Sequence, residues 1–275
     1  MSSLRKALAW QNRHFPLCPS SSGKRPTGWS SLRELCDTGS DTLATLLSWQ
    51  AERVAGMDLR AQAAFLVANL SYRLSLMLGS VYLKETALPR LDADLLYLKL
   101  SQTPAAQSST PAASHLHLHL ADETGAAFPE QPEAMPAQLS AQLESCMDPL
   151  VERLRTDTRL APAAQWRLIA DSLAMGFLLV GQALDQEETA KQKALAVVKR
   201  PGSRLFNKQL GFISLSLPNP EGTPQRPRSF VSRGGCCRYY TVEGGQLCPT
   251  CVLEPLDKQH SRLRELHAPA AAEGS

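Results

Sequence analysis

From Ala61 to Leu83 the chain reads AQAAFLVANLSYRLSLMLGSVYL. A stretch this long and this apolar has two outlets: it crosses a bilayer, or other parts of the protein enclose it as a helix. Asn69, Arg73 and three serines interrupt it, and a charge at mid-bilayer is costly. The reading is a buried helix, which demands enough neighbouring elements to surround it. A chain of 275 residues with 43% apolar and 20% charged side chains can supply them as an ordinary globular protein.

Those neighbours are legible in outline. Ser40 or Asp41 can cap a helix running to about Ala55, with Gly56 as its stop signal, and Asp58 can cap the long apolar helix. The segment 91–100, LDADLLYLKL, suits either a helix or the start of a strand. HLHLHL, His115 to Leu120, alternates strictly, which is the period of a strand with Leu116, Leu118 and Leu120 facing a core. Leu139, Leu143, Leu150 and Leu154 outline a helix that Pro149 should kink. Pro162 fits a helix first turn, and Trp166, Ile169, Leu173, Phe177, Val180 and Leu184 form that helix's apolar stripe. A further helix is expected over 187–199. Together these elements specify an α+β fold: a mainly helical body with a small antiparallel sheet, plus a small C-terminal appendage.

The expected organisation has four parts. Residues 1–40, rich in Ser, Pro and Gly, read as loosely ordered, and 41–215 form the body. The proline-broken stretch LPNPEGTPQRPRSF reads as a linker into the cysteine segment, giving 216–254 as linker and C-terminal domain. Residues 255–275 read as a frayed tail. The N-terminal stretch has no continuous apolar core of the kind a secretory signal carries, so a cytoplasmic location is expected. Thiols stay reduced there, and clustered cysteines hold metal more often than they form disulfides.

Such a cluster is present. Cys236, Cys237, Cys248 and Cys251 follow the pattern C-C-x10-C-x2-C, four of the seven cysteines. Cys248-Pro249-Thr250-Cys251 is a knuckle that turns two thiolates toward one metal. A zinc ribbon would need a second knuckle where this chain has the adjacent pair Cys236-Cys237, whose side chains diverge in extended backbone. A two-iron cluster offers that pair a wider target. Spacing leaves both iron–sulfur and structural zinc open. Gly244-Gly245 lets the intervening loop turn back, and RYYTV before it is rich in strand formers.

From about Arg233 to Leu253, RGGCCRYYTVEGGQLCPTCVL resembles the FhuF-type ferric siderophore reductases, including the aromatic pair after the double cysteine. Upstream, the resemblance is an outline: a helical body, a Trp in QWRLIADSLA and a basic, proline-broken lead-in. The resemblance implies that the appendage binds a 2Fe-2S cluster through one thiolate each from Cys236, Cys237, Cys248 and Cys251. It further implies that the body is a reduced relative of the C-terminal region of siderophore synthetases. The activity implied is reduction of a ferric siderophore, and the electron donor would be ferredoxin- or flavoprotein-like. No residue beyond the cluster is expected to be catalytic, because one-electron reduction of a bound ferric chelate needs only proximity and driving force. Ferrous iron is then held far less tightly by hard oxygen chelators.

The basic residues of 199–240, eight Lys or Arg against Glu221, are the candidates for attracting an anionic chelate. Those nominated are Arg204, Lys208, Arg226, Arg228, Arg233 and Arg238; the plain alternative is a solvated basic face. Nucleic acid is not expected as a partner, since the stretch lacks interleaved aromatics and is proline-rich; peripheral membrane association stays open. His115, His117 and His119 share one side of their strand and could hold a metal, against the alternative of a solvent face. Cys18, Cys36 and Cys146 are scattered and read as spectators. No Walker loop, GxGxxG or GxSxG occurs, which tells against nucleotide-dependent and hydrolase functions. The competing function is a siderophore- or protein-binding module whose four cysteines carry only a structural zinc.

Overall fold

The computed structural model describes residues 2–103, 113–122, 127–128, 131–217 and 227–267. Its chain order is α1 (Ser3–His14), β1 (Ser20–Ser22), β2 (Ser30–Ser31), α2 (Leu32–Cys36), α3 (Asp41–Arg53), α4 (Leu59–Gly79), β3 (Leu96–Thr103) and β4 (Ala113–Leu120). Then come α5 (Met135–Thr158), α6 (Pro162–Ala183), α7 (Glu187–Val198), β5 (Gly211–Leu215), β6 (Arg228–Ser232) and α8 (Leu256–Leu266). The fold is α+β and mainly helical, as the sequence predicts.

The apolar stretch is α4, and a π-helical turn extends it over Ser80–Lys84. Asp58 caps it, its Oδ1 accepting from the Ala61 N–H at 2.7 Å. Its neighbour along much of its length is α6. The segments Leu59–Lys84 and Pro162–Ala183 are both long and apolar enough to cross a membrane, yet 72% of each one's most apolar window is buried within the protein. Arg73, the charge inside α4, is buried with its donors used: Nε donates to Asn69 Oδ1 and Nη1 to the Leu17 carbonyl, both at 3.0 Å. Close approach of the two helices rests on Gly176. A Cβ there would lie 2.5 Å from Ser75 Cβ and 2.7 Å from the Ser75 carbonyl carbon, so no larger residue fits without parting the helices.

The four-stranded sheet has the order β1-β4-β3-β2. Leu116, Leu118 and Leu120 of β4 face the core as the alternation predicts, all at most 1% exposed. LDADLLYLKL resolves as the start of β3, antiparallel to β4 with Leu98 opposite Leu118. The sheet is mixed rather than antiparallel, because β1 runs parallel to β4. That strand comes from the segment expected to be loosely ordered, and its edge is held by Asn12, which donates to the Ser20 carbonyl and accepts from the Ser20 N–H.

The first forty residues are therefore structured. In α1, Leu4, Ala7, Leu8 and Gln11 are buried along one stripe, while Arg5, Lys6 and Arg13 on the outer face dilute the apolar signal. A capping box between Ser31 and Glu34 starts α2. At the other end, α8 replaces the expected frayed tail and buries Leu263 against Ile213 and Leu215; residues 268–275 lie outside the described residues. In α5 the helix runs on through Pro149. The expected linker is the connection of a hairpin: β5 and β6 on either side of it pair, Leu215 opposite Arg228. Its residues 218–226 lie outside the described residues. Val231 of β6 belongs to the main core and Cys237 packs on it, so the cysteine segment leans directly on the body.

Candidate metal centre

The centre begins where β6 runs out against α6. Asp171, one acid in the apolar stripe of α6, is 4% exposed and takes hold of the chain entering the cysteines. Its Oδ1 accepts from the Gly234 N–H at 2.8 Å and its Oδ2 from the Gly235 N–H at 2.9 Å. Arg233 Nε completes the clamp at 3.5 Å from Oδ2. Burial pushes the Asp171 carboxyl up to about 6, while Arg233 and the two backbone N–H groups oppose the rise. Gly235 is required by contact: a Cβ would sit 3.0 Å from backbone atoms of Arg167 and Leu168 in α6.

Beyond the clamp, Arg238 adopts a left-handed conformation (φ 63°) and turns the chain into a single 3-10 turn at Tyr239–Thr241. RYYTV is thus no strand, although its residues favour one, because the paired cysteines must bend back toward Cys248 within ten residues. The Arg238 N–H approaches Cys236 Sγ at 3.4 Å. At the knuckle, the Cys251 N–H donates to the Cys248 carbonyl at 3.0 Å. Gln259 of α8 ties the knuckle's end down by donating to the Cys251 carbonyl at 3.1 Å.

Cys237 Sγ and Cys248 Sγ lie 3.5 Å apart. Arg233 Nη1 faces both, 3.7 Å from Cys237 and 3.5 Å from Cys248. The Cys248 thiol and then Arg233 stabilise the Cys237 thiolate, which is pushed down to about 5, while the same sharing with Cys237 pushes Cys248 up. Metal ligation at these sulfurs would displace thiol protons. Burial raises Cys236, and Cys251 is near enough to raise it further. Among the described residues, no group of three or more His, Cys, Asp or Glu side chains is gathered tightly enough to hold a single metal ion.

A cavity of about 400 Å³ opens onto Cys237 and Cys248 between the body and the cysteine segment. Phe65 and Tyr72 of α4, Met175 of α6 and Tyr239 give it aromatic and apolar walls, with Asp171 and Arg233 at its polar end.

Of the nominated basic residues that are described, Arg233 alone meets the sulfurs through its side chain. Arg238 directs its guanidinium to Asp58 at 3.2 Å. Arg204 pairs with Asp148 and stacks on Trp166. Arg228 stacks on Phe230 and approaches His267, and Lys208 is exposed. Arg226 lies outside the described residues. Arg204, Arg228 and Arg238 are drawn apart because a neighbouring acid or ring claims each of them. His117 and His119 are engaged within and beside the sheet. His119 Nε2 donates to the Lys24 carbonyl at 2.9 Å, so Nδ1 accepts from Ser21 Oγ at 2.8 Å, and His117 Nε2 pairs with Ser101 Oγ. Asp171 escaped the sequence reading, although a lone acid inside the apolar helix QWRLIADSLA is a visible signal.

Residues 233–253 match the family model described as the FhuF 2Fe-2S C-terminal domain. The match supports an FhuF-type family and contains all four cysteines of the motif. No curated protein matches the chain. Cys237 and Cys248 fit one tetrahedral metal position of a 2Fe-2S centre. Two thiolates on one tetrahedral ion with metal–sulfur bonds of ~2.3 Å stand roughly 3.8 Å apart, close to the 3.5 Å between Cys237 and Cys248. The cation beside them suits an anionic all-thiolate centre.

Proposed function

We propose that the chain is a ferric siderophore reductase that holds a 2Fe-2S cluster on Cys236, Cys237, Cys248 and Cys251 and works in a reducing cytoplasm. The observation that carries this reading is the cavity that opens onto Cys237 and Cys248, two cysteines of the segment matched to a 2Fe-2S domain. A bound cluster of this type supplies one electron at a time.

The chain's own residues supply the setting. Phe65, Tyr72, Met175 and Tyr239 offer a bound chelate an apolar wall and exclude water from the contact. Arg233 compensates negative charge on the sulfurs, and Asp171 fixes the guanidinium and the two glycines so that the cysteines are presented in one geometry. No group needs to move a proton to the substrate: ferric iron gains one electron, becomes ferrous and leaves its hard oxygen ligands. Because the basic residues of 199–240 are dispersed, long-range attraction of an anionic chelate is a smaller part of binding than the sequence predicts.

Anaerobic purification with metal analysis, followed by electron paramagnetic resonance of the reduced protein, tests the cofactor. Mixing with a ferric siderophore and a ferrous-iron trap tests the reaction. The expected result is two irons per chain, a signal from the reduced centre, and one ferrous ion trapped per electron stored. Zinc in the purified protein, or a reconstituted cluster that no ferric chelate reoxidises, overturns the reading.

A further inference from the structure

The cysteines have a second open face. On the side of Cys236, another cavity of about 400 Å³ is lined by Leu160, Ala163, Arg167, Arg238, Tyr240 and Leu253, among others. It shares no lining residue with the cavity at Cys237 and Cys248. Its apolar rim projects into solvent: Tyr240 is 45% and Leu253 55% exposed, and Leu256, just beyond, is 57% exposed. Large exposed apolar side chains gathered around a functional group mark an interaction surface. Its charge is of one sign, since Arg167 and Arg238 are in the lining and no Asp or Glu is. Arg167 is exposed on α6, and only Arg238 is shared with an acid, Asp58.

We infer that this face is the docking surface for an acidic one-electron carrier protein, which delivers the electron through the Cys236 side while the chelate occupies the Cys237–Cys248 side. The inference rests on the reductase reading, because it needs a redox centre at the four cysteines. A centre that stores one electron must be refilled for every turnover, and two separate faces let donor and acceptor be bound together. An apolar contact with Arg167 and Arg238 in its lining favours a partner with an apolar contact patch set in acidic surroundings, through both encounter rate and orientation. In the step itself the carrier would lose one electron and a cluster held by Cys236, Cys237, Cys248 and Cys251 would gain it. No bond is made or broken and no proton is transferred.

The test mixes the oxidised, cluster-loaded protein with a reduced acidic plant-type ferredoxin as probe and follows the electron by stopped flow. Variants Arg167→Glu and Leu253→Glu change exposed side chains, so folding is spared. The expected result is a second-order rate that falls with salt and drops ~10-fold or more in each variant. Reduction by dithionite and delivery to a ferric chelate should stay within about twofold of the parent protein. Unchanged ferredoxin rates in both variants overturn the proposal, as does a saturating ferric chelate that blocks ferredoxin. A dimer of the parent protein that Leu253→Glu dissociates also overturns it, since the patch would then be covered by a second copy. Protein without a visible chromophore fails the reductase reading instead, and dithionite reveals that failure independently.

Discussion

Replacing Arg233 by Gln removes the cation whose side chain faces Cys237 and Cys248, at a cost that follows from the distances. Arg233 Nη1 lies 3.5 and 3.7 Å from the two sulfurs, and a metal would sit ~2.3 Å beyond them, which places the charges about 5 Å apart. At an effective dielectric constant of ~20, one unit charge at that distance favours an added electron by about 3 kcal/mol. Asp171 at 3.5 Å from Arg233 Nε offsets part of this, and in the variant its carboxyl, less opposed by a cation, takes up a proton more readily. The net loss is then about 1–2 kcal/mol, or ~50–100 mV downward in midpoint potential for a one-electron couple. Redox titration followed by visible absorption measures it. Arg233→Lys should keep most of the potential. Arg238→Glu should move it less than Arg233→Gln, since the Arg238 guanidinium is engaged by Asp58. A midpoint for Arg233→Gln that is unchanged or raised refutes the electrostatic argument.

Changing Cys18, Cys36 and Cys146 together to Ser should leave the visible chromophore intact, although a hydroxyl at fully buried Cys146 costs ~1–3 kcal/mol of stability in denaturant titration. Gly176→Ala should force α4 and α6 apart and cost ~1–3 kcal/mol; an unshifted melting temperature would show that the helices tolerate a methyl between them. For Asp171, the folded carboxyl titrates at about 6, above its ordinary 3.8, so the native state holds the proton more tightly than the unfolded chain. Its contribution to stability is therefore complete below about pH 4 and is lost as pH rises through about 6. Denaturation midpoints should fall over that window in the parent protein and fall less in Asp171→Asn; parallel profiles refute the assignment.

What could be read from the sequence followed from periodicity. The stripe of α6, the alternation of β4 and the buried course of α4 each repeat one physical signal many times, so a few exceptions such as Arg73 do not hide it. The cysteine motif was legible for a different reason, because four thiols at fixed spacing have few uses. The missed features are pairings between distant segments. Helix α1 shows only a narrow apolar stripe between basic residues, and β1 has meaning only beside β4. Tyr239 and Tyr240 favour strands, yet chain closure onto Cys248 overrides that preference. Arg233 and Arg238 look equivalent in sequence. Distant acids separate them: Asp171, 62 residues before Arg233, holds that guanidinium beside the sulfurs, and Asp58 takes the Arg238 guanidinium.

Between Cys236 and Glu254 only Val242 and Cys251 are buried. That stretch has almost no hydrophobic interior, whereas the body beneath it is built around α4 and α6. A segment so poor in apolar burial rests on its few tethers and, with the proposed cluster in place, on ligation, so losing that group opens it locally first. Damage to the centre then becomes a local event. The segment is held at both ends, by the Asp171 clamp on Gly234 and Gly235 and by α8 packed on β5, so the change stays between those two anchors.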